Sequence, residues 1–146
     1  MPVGYRFRFT QPALAQLTVG EFVAYSTGVE FETVATLVIS DPPDNRLELD
    51  DLRTRLLTGL AVEIILPDGT VVSARSSGIS TPEPQPPALT RVWHGGGGGR
   101  AHWTQRDTWY LWQPPVAGKL TFVCMWPEVG IDERLHEVQA ERIRSG

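Results

Sequence analysis

Between Gly28 and Ile39 the chain reads GVEFETVATLVI, placing Val29, Phe31, Thr33, Ala35, Leu37 and Ile39 on one parity and Glu30, Glu32 and Thr36 on the other. A period of two describes a strand with one face on a core and one toward water; a helix would repeat its apolar positions every three to four residues. With EFVAY upstream and STG as the break, residues 21 to 40 predict two antiparallel strands joined by a tight turn.

The same alternation recurs along the chain. Tyr5, Phe7 and Phe9 oppose Arg6 and Arg8, which predicts a half-buried strand. LAVEIILPDGTVVSAR reads as a hairpin whose Asp68-Gly69 pair supplies the positive φ angles of a tight turn. DTWYLWQ predicts a strand with Trp109 and Leu111 on one face and Tyr110 and Trp112 on the other, and KLTFVCMW another, with Leu120, Phe122, Cys124 and Trp126 together. The intervening QPPVAG is turn chemistry. The stretch DPPDNRLELDDLRTRLL opens as a loop, and LDDLRTRLL predicts one or two helical turns before Gly59. In the last segment Ile131, Leu135 and Val138 fall on one helical stripe, with Asp132 and Glu133 early and Arg142 and Arg144 late, so a terminal helix is expected over about 131–144.

These elements predict an all-β fold: one antiparallel β-sandwich of about eight strands, immunoglobulin-like or jelly-roll, with a short C-terminal helix. A chain of 146 residues is the size of one domain. Residues 1–146 are therefore read as a single sandwich with a Pro-rich loop at 80–88 and a Gly-rich loop at 95–100.

Composition excludes several roles. Thirteen basic residues stand against 17 acidic ones with no basic run, so the electrostatic footprint of a nucleic-acid binder is missing and no nucleic-acid partner is expected. No apolar run approaches a membrane span and no leader pattern opens the chain, so no membrane partner and a cytoplasmic location are expected. The single cysteine, Cys124, lies in an apolar run with no cationic neighbour in sequence, and reads as a core residue. One lysine among the basic residues is an arginine bias common in high-GC bacterial genomes, so a bacterial source is expected.

Residues 91 to 118, RVWHGGGGGRAHWTQRDTWYLWQPPVAG, concentrate the candidates for a site. A phosphate cradle would need Lys and Ser or Thr and a helix start after the glycines, and Gly99 is followed by Arg100 and Ala101. The acids Asp41, Asp44, Glu48, Asp50 and Asp51 lack the alternation and central glycine of a calcium loop. His94, His102 and Asp107 are the residue types of a metal site or an acid–base set, but the glycines leave their spacing undefined. No metal, cofactor or catalytic residue is therefore assigned. The ligand- or partner-binding candidates are Trp93, His94, His102, Trp103, Trp109 and Trp112. Aromatics on both faces of residues 109–112 require a cover for the second face: the glycine loop, the terminal helix or another subunit.

The string from WHGGGGG through LWQPPVAGKLTFVCMWPEVGI, with AYSTGVEFE upstream, resembles a family of uncharacterised actinobacterial proteins: a glycine run, an aromatic strand, an LTFVCEWP-like strand and a GI entering a terminal helix. This chain has Met125 where that family is expected to carry an acid, and QPP where PLPP is usual. The resemblance implies a fold and no activity. On these grounds the expected role is a non-enzymatic module of protein interaction or assembly, with a protein partner or self-association. The alternatives are a small-ligand or carbohydrate-binding module built on the tryptophan-rich strand and the glycine loop, and thirdly a metal-dependent jelly-roll enzyme.

Overall fold

A computed structural model describes residues 2–3, 5–11, 14–39, 41–73, 88–112 and 118–144. Among the described residues ten strands form two antiparallel sheets. The first holds β1 (Pro2–Val3), β2 (Phe7–Gln11), β3 (Ala15–Ala24), β4 (Gly28–Val38), β7 (Ala88–Gly98) and β8 (His102–Trp112), in the order β1-β3-β4-β8-β7, with β2 beside β1 on the same edge of β3. The second holds β5 (Ala61–Ile65), β6 (Val71–Ser73), β9 (Lys119–Trp126) and β10 (Ile131–Gln139), in the order β10-β9-β5-β6. Helix α1 (Arg46–Thr58) lies between β4 and β5 in sequence, and α2 (Ala140–Arg144) follows β10.

The sheets face one another, as the period-two pattern requires. On β4 the parity of Val29, Phe31, Thr33, Ala35 and Leu37 is buried, and Glu30, Glu32, Val34, Thr36 and Val38 between and beyond them are only half-buried. Phe31 of the first sheet meets Phe122 of the second edge-on at 5.6 Å, and Phe7 meets it at 5.1 Å. Leu17, Val19 and Phe22 join Ile64, Leu120 and Ile131 as fully enclosed members of one core. The hairpin around Asp68 forms as expected, with Gly69 at φ +91 and the Leu66 N–H donating to the Thr70 carbonyl at 2.8 Å.

Three sequence expectations are corrected. Residues 131–139 are strand β10, not helix, and only 140–144 are helical. Leu135, the middle of the supposed stripe, is 60% exposed. The edge of β9 takes up this segment through seven register pairs that begin at Ile131, just after Gly130, whose φ of +88 turns the chain back. Pairing with a neighbour outweighs a local helical period. The 95–100 glycine loop is mostly strand: Gly95 to Gly98 pair with Arg106, Gln105, Thr104 and Trp103 of β8, and only Gly99–Ala101 turn. Helix α1 runs 13 residues rather than one or two turns. Asn45 caps it by accepting from the N–H groups of Leu47 and Glu48, and Leu49, Leu52 and Leu56 dock on the core. The Pro-rich segment, apart from Ala88, and the turn at 113–117 lie outside the described residues.

The outward aromatics of β8 pack among themselves and against the turn between β3 and β4. Tyr110 packs edge-on against Trp112 at 4.9 Å and lies tilted against Tyr25 at 6.1 Å, and its hydroxyl bonds the Thr27 hydroxyl.

Candidate functional site

An apolar core is the default of a sandwich, and each polar side chain placed in it must be paid for with hydrogen bonds. Among the described residues three polar or charged side chains are buried: Thr33, Gln105 and Asp107. All three line one cleft, of about 630 Å³, between the inner face of β4, β8 and β7 and helix α1. That volume is typical of a small-molecule site.

Strand register assembles the floor. Thr33 on β4 lies opposite Asp107 on β8, and Asp107 lies opposite His94 on β7. Next to this row, Ala35 lies opposite Gln105 and Gln105 opposite Gly96. A β-bulge decides which β7 side chains join. The register with β8 shifts between Arg91 and Trp93, so that Arg91 faces Trp109 and His94 faces Asp107. In an unbulged strand Trp93 would take the place opposite Asp107 and His94 would point outward; bulges characteristically re-aim a side chain in this way.

The Asp107 carboxylate has only 10% of its side chain exposed and accepts from His94 Nδ1 at 2.7 Å and from Arg91 at 3.4 Å. The same imidazole is approached by the Arg91 guanidinium, 3.2 Å from Nδ1, and by the Gln105 side-chain amide, which lies beside both ring nitrogens. The imidazole itself is about half exposed. A buried carboxylate thus orients a solvent-accessible imidazole. The Trp109 indole N–H donates to the Thr33 hydroxyl at 2.8 Å, and that of Trp103 to Gln105 Oε1 at 3.4 Å.

Helix α1 supplies the opposite wall. The Arg53 guanidinium lies 4.5 Å from the centre of the Trp103 ring, reaches Asp50 at 3.4 Å and donates to the Gly99 carbonyl. Arg100, in the turn between β7 and β8, donates to the Pro43 carbonyl and to Asp44 just before the helix. Near its C-terminal end the helix is held by the fully buried Trp126, whose indole donates to the Leu56 carbonyl at 2.7 Å. Leu57, Leu60, Ala61 and Val62 add apolar surface to this wall beside Thr54 and Thr58. The cleft therefore joins a polar floor, with Arg91 and Asp107 of opposite charge, to sides that are aromatic and aliphatic except for Asp50, Arg53, Thr54 and Thr58 of the helix.

Of the sequence candidates, His94, Trp103 and Trp109 line this cleft. Trp93 faces outward and is 53% exposed, Trp112 is half-buried on the outer face, and His102 is exposed at the start of β8. His94 and Asp107 come together; His102 does not join them. Among the described residues no group of three or more His, Cys, Asp or Glu is placed to hold a metal ion. Arg53, Arg91, Thr33 and Gln105 were not singled out in the sequence, although Thr33 and Gln105 share the parity of buried neighbours, and an inward polar residue is the available signal. A second hollow, of about 330 Å³ and lined by Thr10, Gln11, Leu14, Ala15, Gln16, Thr36 and Val38, contains no titratable side chain and offers no comparable chemistry.

No helix among the described residues is long and apolar enough to cross a membrane. No protein-family model matches the chain, and comparison with curated proteins finds no match.

Proposed function

We propose that this protein is a small-ligand-binding domain whose site is the cleft between α1 and the β4-β8-β7 floor. One observation carries the reading: the three buried polar or charged side chains among the described residues all converge on that cleft. Convergent polar groups in a concavity with aromatic and aliphatic walls are the usual makeup of such sites. The ligand chemistry that fits is a small organic molecule with a hydrogen-bonding head for His94, Gln105 and Asp107 and a planar or apolar body for Trp103, Trp109, Leu57 and Leu60. The unpaired Cys124 is compatible with a reducing compartment, and we place the protein in the cytoplasm.

The test is a thermal-shift screen with small polar metabolites: sugars, polyols, hydroxy acids and amino acids. A compound at a hundredfold excess over its Kd stabilises by about 2.7 kcal/mol, or roughly 5–10 °C for a domain of this size. The shift should vanish in His94→Ala. Shifts that persist in His94→Ala would count against the site.

A second reading, a protein-interaction or assembly module, is favoured by the outward aromatics Tyr25, Tyr110 and Trp112. Loss of a co-purifying partner in Trp112→Ala, with the ligand shift intact, would support it.

A further inference from the structure

We infer that two copies of this chain pair antiparallel through the edge of β7 that no described strand occupies, with the two-fold axis at Gly95. The inference is independent of the ligand reading. Exposed strand edges are hazards that proteins blunt with short strands, charges, bulges or covers. Three of the four sheet edges here are blunted. On one, β1 and β2 are two and five residues long. On another, β6 has three residues. On the third, β10 carries a bulge and the charged residues Asp132, Glu133, Arg134 and Glu137. The fourth, β7, is 11 residues long, has no strand on its far side among the described residues, and pairs regularly with β8 from Trp93 to Gly98. Its one bulge lies before that stretch, and its charged side chain, Arg91, is turned into the cleft.

The stretch is also self-complementary, which selects a second copy as occupant. In an antiparallel pair centred on Gly95, Trp93 of each chain lies opposite Gly97 of the other, and the two Gly95 residues face each other. Trp93, Gly95 and Gly97 all point to the outer face. A Cβ at Gly97 would meet nothing within 4 Å, so the partner's Trp93 finds open space opposite. The Trp93 ring already folds over its own Gly95, where a Cβ would lie 2.5 Å from the indole. Pairing would bring the two indoles together at the axis, separated by roughly the strand spacing of 4.8 Å. Such an isologous contact closes at two copies and extends the sheet to twelve strands across the dimer. It also steadies β7, the strand that carries Arg91 and His94 into the cleft.

Sedimentation velocity from micromolar to sub-millimolar concentration tests the inference, with near-UV circular dichroism reporting the paired indoles. The wild type should form a dimer with an exciton signal that grows with concentration. Gly95→Lys, which sets two ammonium groups face to face on the axis and meets only the movable end of Trp93 within the monomer, should be monomeric with an unchanged far-UV spectrum. Trp93→Ser should weaken the dimer and abolish the exciton signal, and Trp112→Ala should leave both unchanged. A wild type that stays monomeric throughout, or a dimer that survives both β7 substitutions, overturns the inference.

Discussion

If the polar cluster under the cleft serves a ligand, its charges weaken the fold in its absence, and chemical denaturation can expose this. Asp107→Asn keeps shape and removes charge. The carboxylate accepts one short charged bond, from His94 at 2.7 Å, and one long one, from Arg91 at 3.4 Å. A hydrogen bond to a charged group contributes about 1.5–3 kcal/mol, whereas a long, partly exposed ion pair adds at most about 1 kcal/mol. The single substitution should therefore cost about 2–3 kcal/mol and, with an m-value near 2 kcal/mol/M in urea, lower the midpoint by roughly 1–1.5 M. The combined variant Arg91→Met, His94→Leu, Asp107→Leu should behave oppositely. Removing all three groups eliminates their desolvation cost, and apolar replacement of a buried charged cluster is commonly neutral or stabilising by about 1–4 kcal/mol. Urea unfolding followed by far-UV circular dichroism reads both. A triple variant as unstable as Asp107→Asn would refute the reasoning, because the cluster would then be a structural element of the fold.

Three further outcomes are expected. Asn45→Ala removes the cap that accepts from Leu47 and Glu48 and should cost about 1 kcal/mol, with faster amide exchange confined to the first turn of α1. Burial pushes the Cys124 thiol up to about 12, so Ellman's reagent at pH 8 should leave it unmodified in the native protein and react at once in denaturant. Burial lowers the His136 pKa, where the ring stacks on Phe7 at 4.0 Å and bonds the Tyr5 hydroxyl at 2.7 Å. The fold thus favours its neutral form: this contribution is complete above the unfolded value of about 6.5, declines as pH falls through it, and levels off below the folded value. The difference in stability between wild type and His136→Gln should follow that course, and a difference independent of pH between 7 and 5 would contradict it.

Alternation made the sandwich legible, because a period of two records which side chains meet the opposing sheet, as Val29 to Leu37 do. It did not reveal β10, whose Ile131, Leu135 and Val138 happen to fit a helix and whose conformation is set by the edge of β9. The glycine run was opaque for the converse reason: without side chains it carries no parity, and its strand character comes from pairing with β8. The site was half legible. Asp107 and Gln105 share the parity of Trp109 and Leu111, so polar residues on a buried face were visible in principle. That His94 faces Asp107 was not, since it depends on a bulge at Val92 that local sequence does not announce.

The central claim is that a small ligand occupies the cleft, and the five tryptophan indole N–H resonances offer its most direct measurement. Trp103 and Trp109 line the cleft; Trp93 and Trp112 lie outside it and Trp126 is enclosed in the core. In two-dimensional nitrogen–proton spectra recorded with the same metabolite set, a binding compound should move the Trp103 and Trp109 resonances together in a saturable manner, and not in Asp107→Asn. Saturable shifts confined to Trp93 or Trp112, or a complete set that leaves Trp103 and Trp109 unmoved, would contradict the account.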